Sequence, residues 1–182
     1  SRGLALMGMD QARKVLAAAG ARTLFASASM THLWQHSLEI AAAMEYLASL
    51  SHITAPEEAF VTGLIHDIGR LALESIPAEY AAAHRRIGAV CPMLADMVVA
   101  GEDHGALGAA LLREWGLPEA LVLAVEFHHR PEVAPNRLAA LVYLAEFATD
   151  ANEDTPSVGR LRAALRAAGI DWNDGLSEEL SS

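Results

Sequence analysis

His36, the pair His66-Asp67 within GLIHDIG, His104 within EDHGALG and the doublet His128-His129 within EFHHRP are all donors for a divalent cation, and an acid follows at Glu146 or Asp150. Imidazole nitrogens suit iron, zinc or manganese, and a carboxylate beside a histidine can bridge two ions and partly neutralise them. Two such ions about 3.5 to 4 Å apart lower the pKa of a bound water and neutralise phosphoryl oxygens during in-line attack. Arg70, one turn beyond Asp67, has a planar fork suited to a phosphate. The plainer alternative for Arg70 is a surface cation favoured by a helix end. A lone histidine reads as a satisfied core residue, whereas five with two acids in this order read as a site. The alternative for the whole set is a hydrogen-bonded polar core that has lost its metal. Without a cation, such a core costs on the order of a few kcal/mol for each unpaired buried charge.

These donors need a scaffold, and the period along the chain is helical nearly throughout, with abundant Ala and no convincing alternating stretch. The fold class is all-α. A first helix is predicted over residues 4–19, stopping at Gly20, and a second over 23–50 with Trp34, His36, Ile40 and Met44 near one face. Thr54-Ala-Pro-Glu57 reads as a capping box opening the helix that ends in His66-Asp67-Ile68-Gly69. Asp103 caps a helix over 104–115 that Gly116 terminates, and Pro118 opens the helix that leads to the histidine doublet. At the start of its helix, His104 is expected to be kept neutral by the dipole. A further helix carries Leu138, Leu141, Val142, Ala145 and Glu146, with Asp150 one turn later on the same face. Residues 1–152 read as the main helical domain, and residues 153–182 as a hinge, a short amphipathic helix and a tail. Trp34 and Trp115 read as core anchors, Cys91 as a small buried side chain, and His52 and His84 as ordinary surface or boundary residues.

Composition bounds the function. The 182 residues suffice for a real hydrophobic core. No apolar run approaches the ~20 residues that span a bilayer, so no membrane partner is expected. A net charge of -10 disfavours phosphate backbones, and nucleic acid is not expected as a partner. The single cysteine fits a reducing cytoplasm. The opening SRGLALMG lacks an initiator Met and a signal-peptide pattern, which predicts further chain upstream.

The stretches LWQHSLEIA (33–41), PEEAFVTGLIHDIGRLAL (56–73), GEDHGALGAALLREWGLPEALVLAVEFHHRPE (101–132) and LAALVYLAEFATD (138–150) resemble the HD superfamily, and within it the HD-related output domain, HDOD. The opening GLALMG resembles the last helix before that core, so the family's N-terminal helices are expected to be missing. The resemblance implies an HD-domain-like helical bundle used as a regulatory module in bacterial signalling, with a signalling protein or a fused sensory or receiver domain as partner. The wider superfamily contains metal-dependent phosphohydrolases, so a phosphate-ester ligand is the second expectation. The resemblance further implies that His36, His66 and Asp67 hold one ion, with Asp67 as the bridge, and that His104, His128 and His129 hold a second. The cofactor would then be one or two divalent ions, whether Fe, Mn, Zn or Mg. Three departures stand out. Glu146 replaces the usual Asp, Arg70 replaces a Lys common in the cyclic-dinucleotide phosphodiesterases, and HHRPEVAPNR lacks their Gly-Tyr-Pro segment. His32 occupies a slot that holds an auxiliary acid in some of those enzymes.

Overall fold

Helix-forming residues and well-placed Pro and Gly stops give an all-helical chain among the described residues. The computed structural model describes Gly20 and residues 30–73, 77–149 and 158–170. Its helices are α1 (Thr31–Ser51), α2 (Pro56–Ile65), α3 (Arg70–Leu73), α4 (Ala78–Gly88), α5 (Pro92–Ala100), α6 (His104–Glu114), α7 (Glu119–Phe127), α8 (Arg137–Thr149) and α9 (Val158–Ala168). The helix expected over 4–19 and the acid Asp150 lie outside the described residues.

The ends of α6 follow local chemistry, whereas the start of α2 departs from the expectation. Asp103 caps α6 by accepting from the Ala106 N–H at 2.8 Å, and Gly116, at φ 70°, ends the helix as predicted. The capping box does not form. Ala55 is the N-cap of α2, and the Thr54 hydroxyl bonds the Glu58 carboxylate. Pro56 at the first position sets the helix start one residue later than the box requires, which aligns Thr54 with Glu58, not Glu57.

Two close approaches bring the functional segments together. A Cβ on Gly63 would stand 2.7 Å from the Ala41 Cα, so α2 can lie against α1 only with glycine there. A Cβ on Gly69 would run into the His104 carbonyl and stand 2.6 Å from the Gly108 nitrogen. The glycine that closes HDIG therefore seats that turn directly on the first turn of α6.

Around these contacts lie three apolar clusters. Trp34, Leu64, Ile68, Leu112 and Val125 join α1, α2, α6 and α7. Ile40, Met44, Leu138, Leu141 and Val142 join α1 to α8. Tyr143, Leu144, Ala164 and Leu165 hold α9 on α8. Two burial assignments need correction. Trp115 is 48% exposed, because it sits at the C-cap of α6 beyond the last packed turn, and Cys91 is exposed at the N-cap of α5.

Candidate metal centre

The five histidines and two acids converge from α1, the turn after α2, the start of α6, the turn after α7 and α8. His36, His66 and Asp67 each offer a ligand atom within 4.8 Å of the others, and so do His104, His128 and His129. Asp67 spans both groups. Its Oδ2 lies 3.9 Å from His36 Nε2 and 3.6 Å from His66 Nε2, and its Oδ1 lies 3.1 Å from His104 Nε2 and 3.9 Å from His128 Nε2. Glu146 also reaches both, with Oε1 3.5 Å from His66 Nε2 and 4.0 Å from His128 Nε2, and Oε2 3.9 Å from His129 Nδ1. Its extra methylene is thus accommodated by α8, and the acid faces the cluster.

Hydrogen bonding on the outer side of the rings fixes what the inner side can do. Carbonyl oxygens only accept, so His66 Nδ1 donates to Gly63 O at 2.7 Å and His128 Nδ1 donates to Val125 O at 2.6 Å. In the neutral ring, each Nε2 is then a lone pair aimed inward. Both Nε2 atoms, together with Asp67 Oδ1, are buried without a hydrogen-bond partner, and His104 Nε2 lies 3.1 Å from that oxygen. Lone pairs converging on one small volume repel each other unless a cation sits among them, and buried polar atoms are normally satisfied. His104 Nε2 and His129 Nε2 lie 2.8 Å apart. That matches neighbouring ligands on one ion, which at zinc–nitrogen distances of about 2.0–2.1 Å stand roughly 3 Å apart. The donor set fits a divalent ion.

Charge is distributed unevenly over the cluster. Burial opposes ionisation of Asp67, yet Arg70, His66 and His104 outweigh it and hold the carboxyl well below its usual range. Glu146 is lowered in the same way, with His128 and His66 outweighing burial. Burial opposes the charged His104 ring, but Asp67 and Asp96 push it up to about 9. The dipole at the start of α6 therefore does not keep this ring neutral in the absence of an ion. Two carboxylates, one at each ring nitrogen, exceed the effect of a helix end. Burial and the neighbouring His129 drive His128 well below its usual value, and burial and His104 take His129 down to about 3. Both rings are neutral and available as ligands.

Arg70 Nε donates to Asp67 Oδ2 at 2.8 Å. Its fork therefore meets the Asp67 carboxylate directly. The sequence reading missed Asp96, which is buried on α5 and contacts His104 Nδ1 at 2.6 Å, and it missed the role of His84, whose Nε2 lies 2.7 Å from the same carboxylate. Asp96 carries the sole charge in PMLADMVVA, and that was the available signal. His84 gave none.

An all-helical bundle with a histidine and carboxylate cluster at the turns after two helices defines the HD class of proteins. The HDOD domain profile matches residues 1–131, and the chain belongs to the HDOD family. Solved relatives agree. A candidate phosphohydrolase from Shewanella amazonensis SB2B is 28% identical with a TM-score of 0.64, the match covering 82% of this chain and 58% of that one. The MmoQ response regulator of Methylococcus capsulatus is 29% identical with a TM-score of 0.57, covering 82% of this chain and 60% of that one. A Treponema pallidum protein of uncharacterised function is 29% identical over 94 residues, half of this chain but 18% of its own length. The chain thus spans well under two thirds of each of these relatives.

Proposed function

We propose that this chain is a regulatory output module for bacterial signal transduction that holds one or two divalent ions at the cluster of His36, His66, Asp67, His104, His128, His129 and Glu146. The observation that carries the metal is the inward set of buried atoms without a hydrogen-bond partner, His66 Nε2, His128 Nε2 and Asp67 Oδ1. The module reading is supported by family membership and by the likeness to a response regulator. Partners of this reading are a signalling protein or a fused sensory or receiver domain. The lone Cys91 is consistent with work in a reducing cytoplasm. Among the described residues, no helix is long and apolar enough to cross a membrane.

The second reading is a metal-dependent phosphohydrolase acting on a nucleotide or other phosphate ester. The span of Asp67 across both histidine groups favours it, as does the likeness to a candidate phosphohydrolase. When bound, paired ions would supply Lewis acidity and a water of lowered pKa. Asp67 and Glu146 would hold the negative charge that keeps them in place. His128 and His129, both disposed to stay neutral, would leave their lone pairs toward the centre. Arg70 would contact a phosphate with the part of its fork that Asp67 does not occupy, while Nε keeps the carboxylate oriented. The Arg70–Asp67 bond also supports the module reading, since the guanidinium's first partner is internal.

Elemental analysis of protein purified without chelator tests the metal, with up to two divalent ions per chain expected and none in Asp67→Ala. Metal-free protein whose stability ignores added manganese, iron or zinc would overturn the site. A panel of phosphodiester and nucleotide substrates then separates the readings. Turnover by the loaded protein that vanishes in a folded Asp67→Ala variant establishes the hydrolase, and a loaded but inert protein leaves the module.

A further inference from the structure

His66 and His128 each follow the end of a helix, where a carbonyl three residues back accepts their Nδ1 proton. His104 begins a helix, and a helix start presents N–H groups, not free carbonyls. Its acceptor has to come from elsewhere. Asp96 Oδ2 on α5 supplies it, 2.6 Å from His104 Nδ1 and 3.3 Å from the His104 backbone nitrogen, which donates to it. The carboxylate's other oxygen, Oδ1, lies 2.7 Å from His84 Nε2 on α4. Asp96 is fully buried, and His84 keeps about a quarter of its side chain exposed. A buried carboxylate is costly unless its lone pairs are occupied, and this one is occupied on both oxygens.

We propose that Asp96 is a positioning residue for the centre: it keeps the His104 Nδ1 proton directed outward and Nε2 directed inward, while His84 braces the carboxylate from the solvent side. The consequence for ion affinity rests on the metal reading above; the consequence for the ring does not. Outer partners of this kind usually change metal affinity about 10–100-fold when removed.

The test uses the full chain. In chelated protein above about pH 9, where the His104 ring is neutral, nitrogen NMR of the imidazoles is expected to show its proton on Nδ1, and shared with Nε2 in Asp96→Ala. Cobalt titration followed by visible absorption should show the ion on the His104 side bound about 10–100-fold more weakly in Asp96→Ala. The ion on the His36 side should be unchanged. Asp96→Asn should restore most of the affinity, because the carboxamide oxygen still accepts from Nδ1, while its NH2 donates to His84 Nε2 once that ring carries its proton on Nδ1. A purely structural role would weaken both ions alike and would not be rescued selectively by Asn. If Asp96→Ala fails to fold, His84→Ala at the solvent end carries the test, with a loss below about tenfold confined to the same ion. An unprotonated His104 Nδ1 in the wild type overturns the proposal, as does a folded Asp96→Ala that binds cobalt like a cobalt-binding wild type. A wild type that takes no cobalt sinks the metal reading alone, and the nitrogen spectrum then decides the role of Asp96.

Discussion

His66-Asp67 after α2 and His128-His129 after α7 are built alike and charged differently. In both, the first histidine is the C-cap of its helix and donates Nδ1 to the carbonyl three residues back, at 2.7 Å and 2.6 Å. The two rings meet edge to face with centroids 5.4 Å apart. Yet burial, which disfavours the charged form of both rings, is outweighed at His66 by Asp67 and Glu146, so the His66 pKa rises, and is reinforced at His128 by His129, which helps drive the His128 pKa far down. Backbone geometry aims a ring; burial and the charged neighbours around it set whether that ring prefers a proton. One turn becomes the side of the cluster that holds charge and the other the neutral imidazole side.

The largest test of this comparison separates the two sides physically. Gly69 seats the HDIG turn on His104 and Gly108, and its neighbours there are backbone atoms that cannot rotate away. Overpacking that side chains can absorb costs about 1–3 kcal/mol, so Gly69→Ala is expected to cost at least ~3 kcal/mol, read by denaturant unfolding. Wild-type stability in that variant would mean that Asp67 does not depend on this contact to reach His104. Ion binding comes next. An ion at a hundredfold excess over its Kd adds about 2.7 kcal/mol, which for a chain of this size raises Tm by roughly 5–10 °C. Differential scanning calorimetry with and without chelator reads that shift, and equal midpoints would speak against a cation joining the two sides.

How much of this was legible depends on where the information lies. The donors announce themselves because few buried roles call for His-Asp and His-His at helix ends, and Gly69, Asp103 and Gly116 mark the turns that aim them. Glu146 and Asp150 could not be separated by periodicity, being one turn apart, and the structure brings Glu146 to the cluster. Asp96 and His84 were illegible as partners. Their link is a contact between α4, α5 and α6 that no spacing within one helix encodes. The exposure of Cys91 has a related cause. The α5 sequence is apolar nearly all round, so its pattern does not say that Leu94, Met97 and Val98 face outward while Ala95 and Asp96 face inward.

The charge contrast between the sides also predicts opposite pH limbs in chelated protein. His104, raised from 6.5 to about 9 in the fold, contributes stability that is fully present below pH 6.5 and is lost as pH rises through about 9. His66, raised in the same direction, adds to that alkaline limb. His128 and His129 are lowered, so their contribution is present above pH 6.5 and fades as pH falls below it. The thermal midpoint of chelated protein should therefore fall on both flanks. In loaded protein the alkaline limb should flatten, because the ion takes the place of the protons. An alkaline limb that persists unchanged after loading would show that the ion does not engage His104.

The smallest effect is expected at Glu146, the acid that touches both sides. Glu146→Asp withdraws the carboxylate by one methylene from contacts that already stand at 3.5 to 4.0 Å, lengthening its reach to His66, His128 and His129 together. Asp67 remains as the shared carboxylate, so no ion loses its principal anionic partner. Affinity should fall by less than about tenfold, under ~1.4 kcal/mol, with both ions affected alike because the acid lies between them. A competitive chelator titration reads this directly. A selective loss of one ion would place Glu146 on a single side, and a gain in affinity would mean that α8 holds the longer acid too close and that the shorter residue suits the centre better.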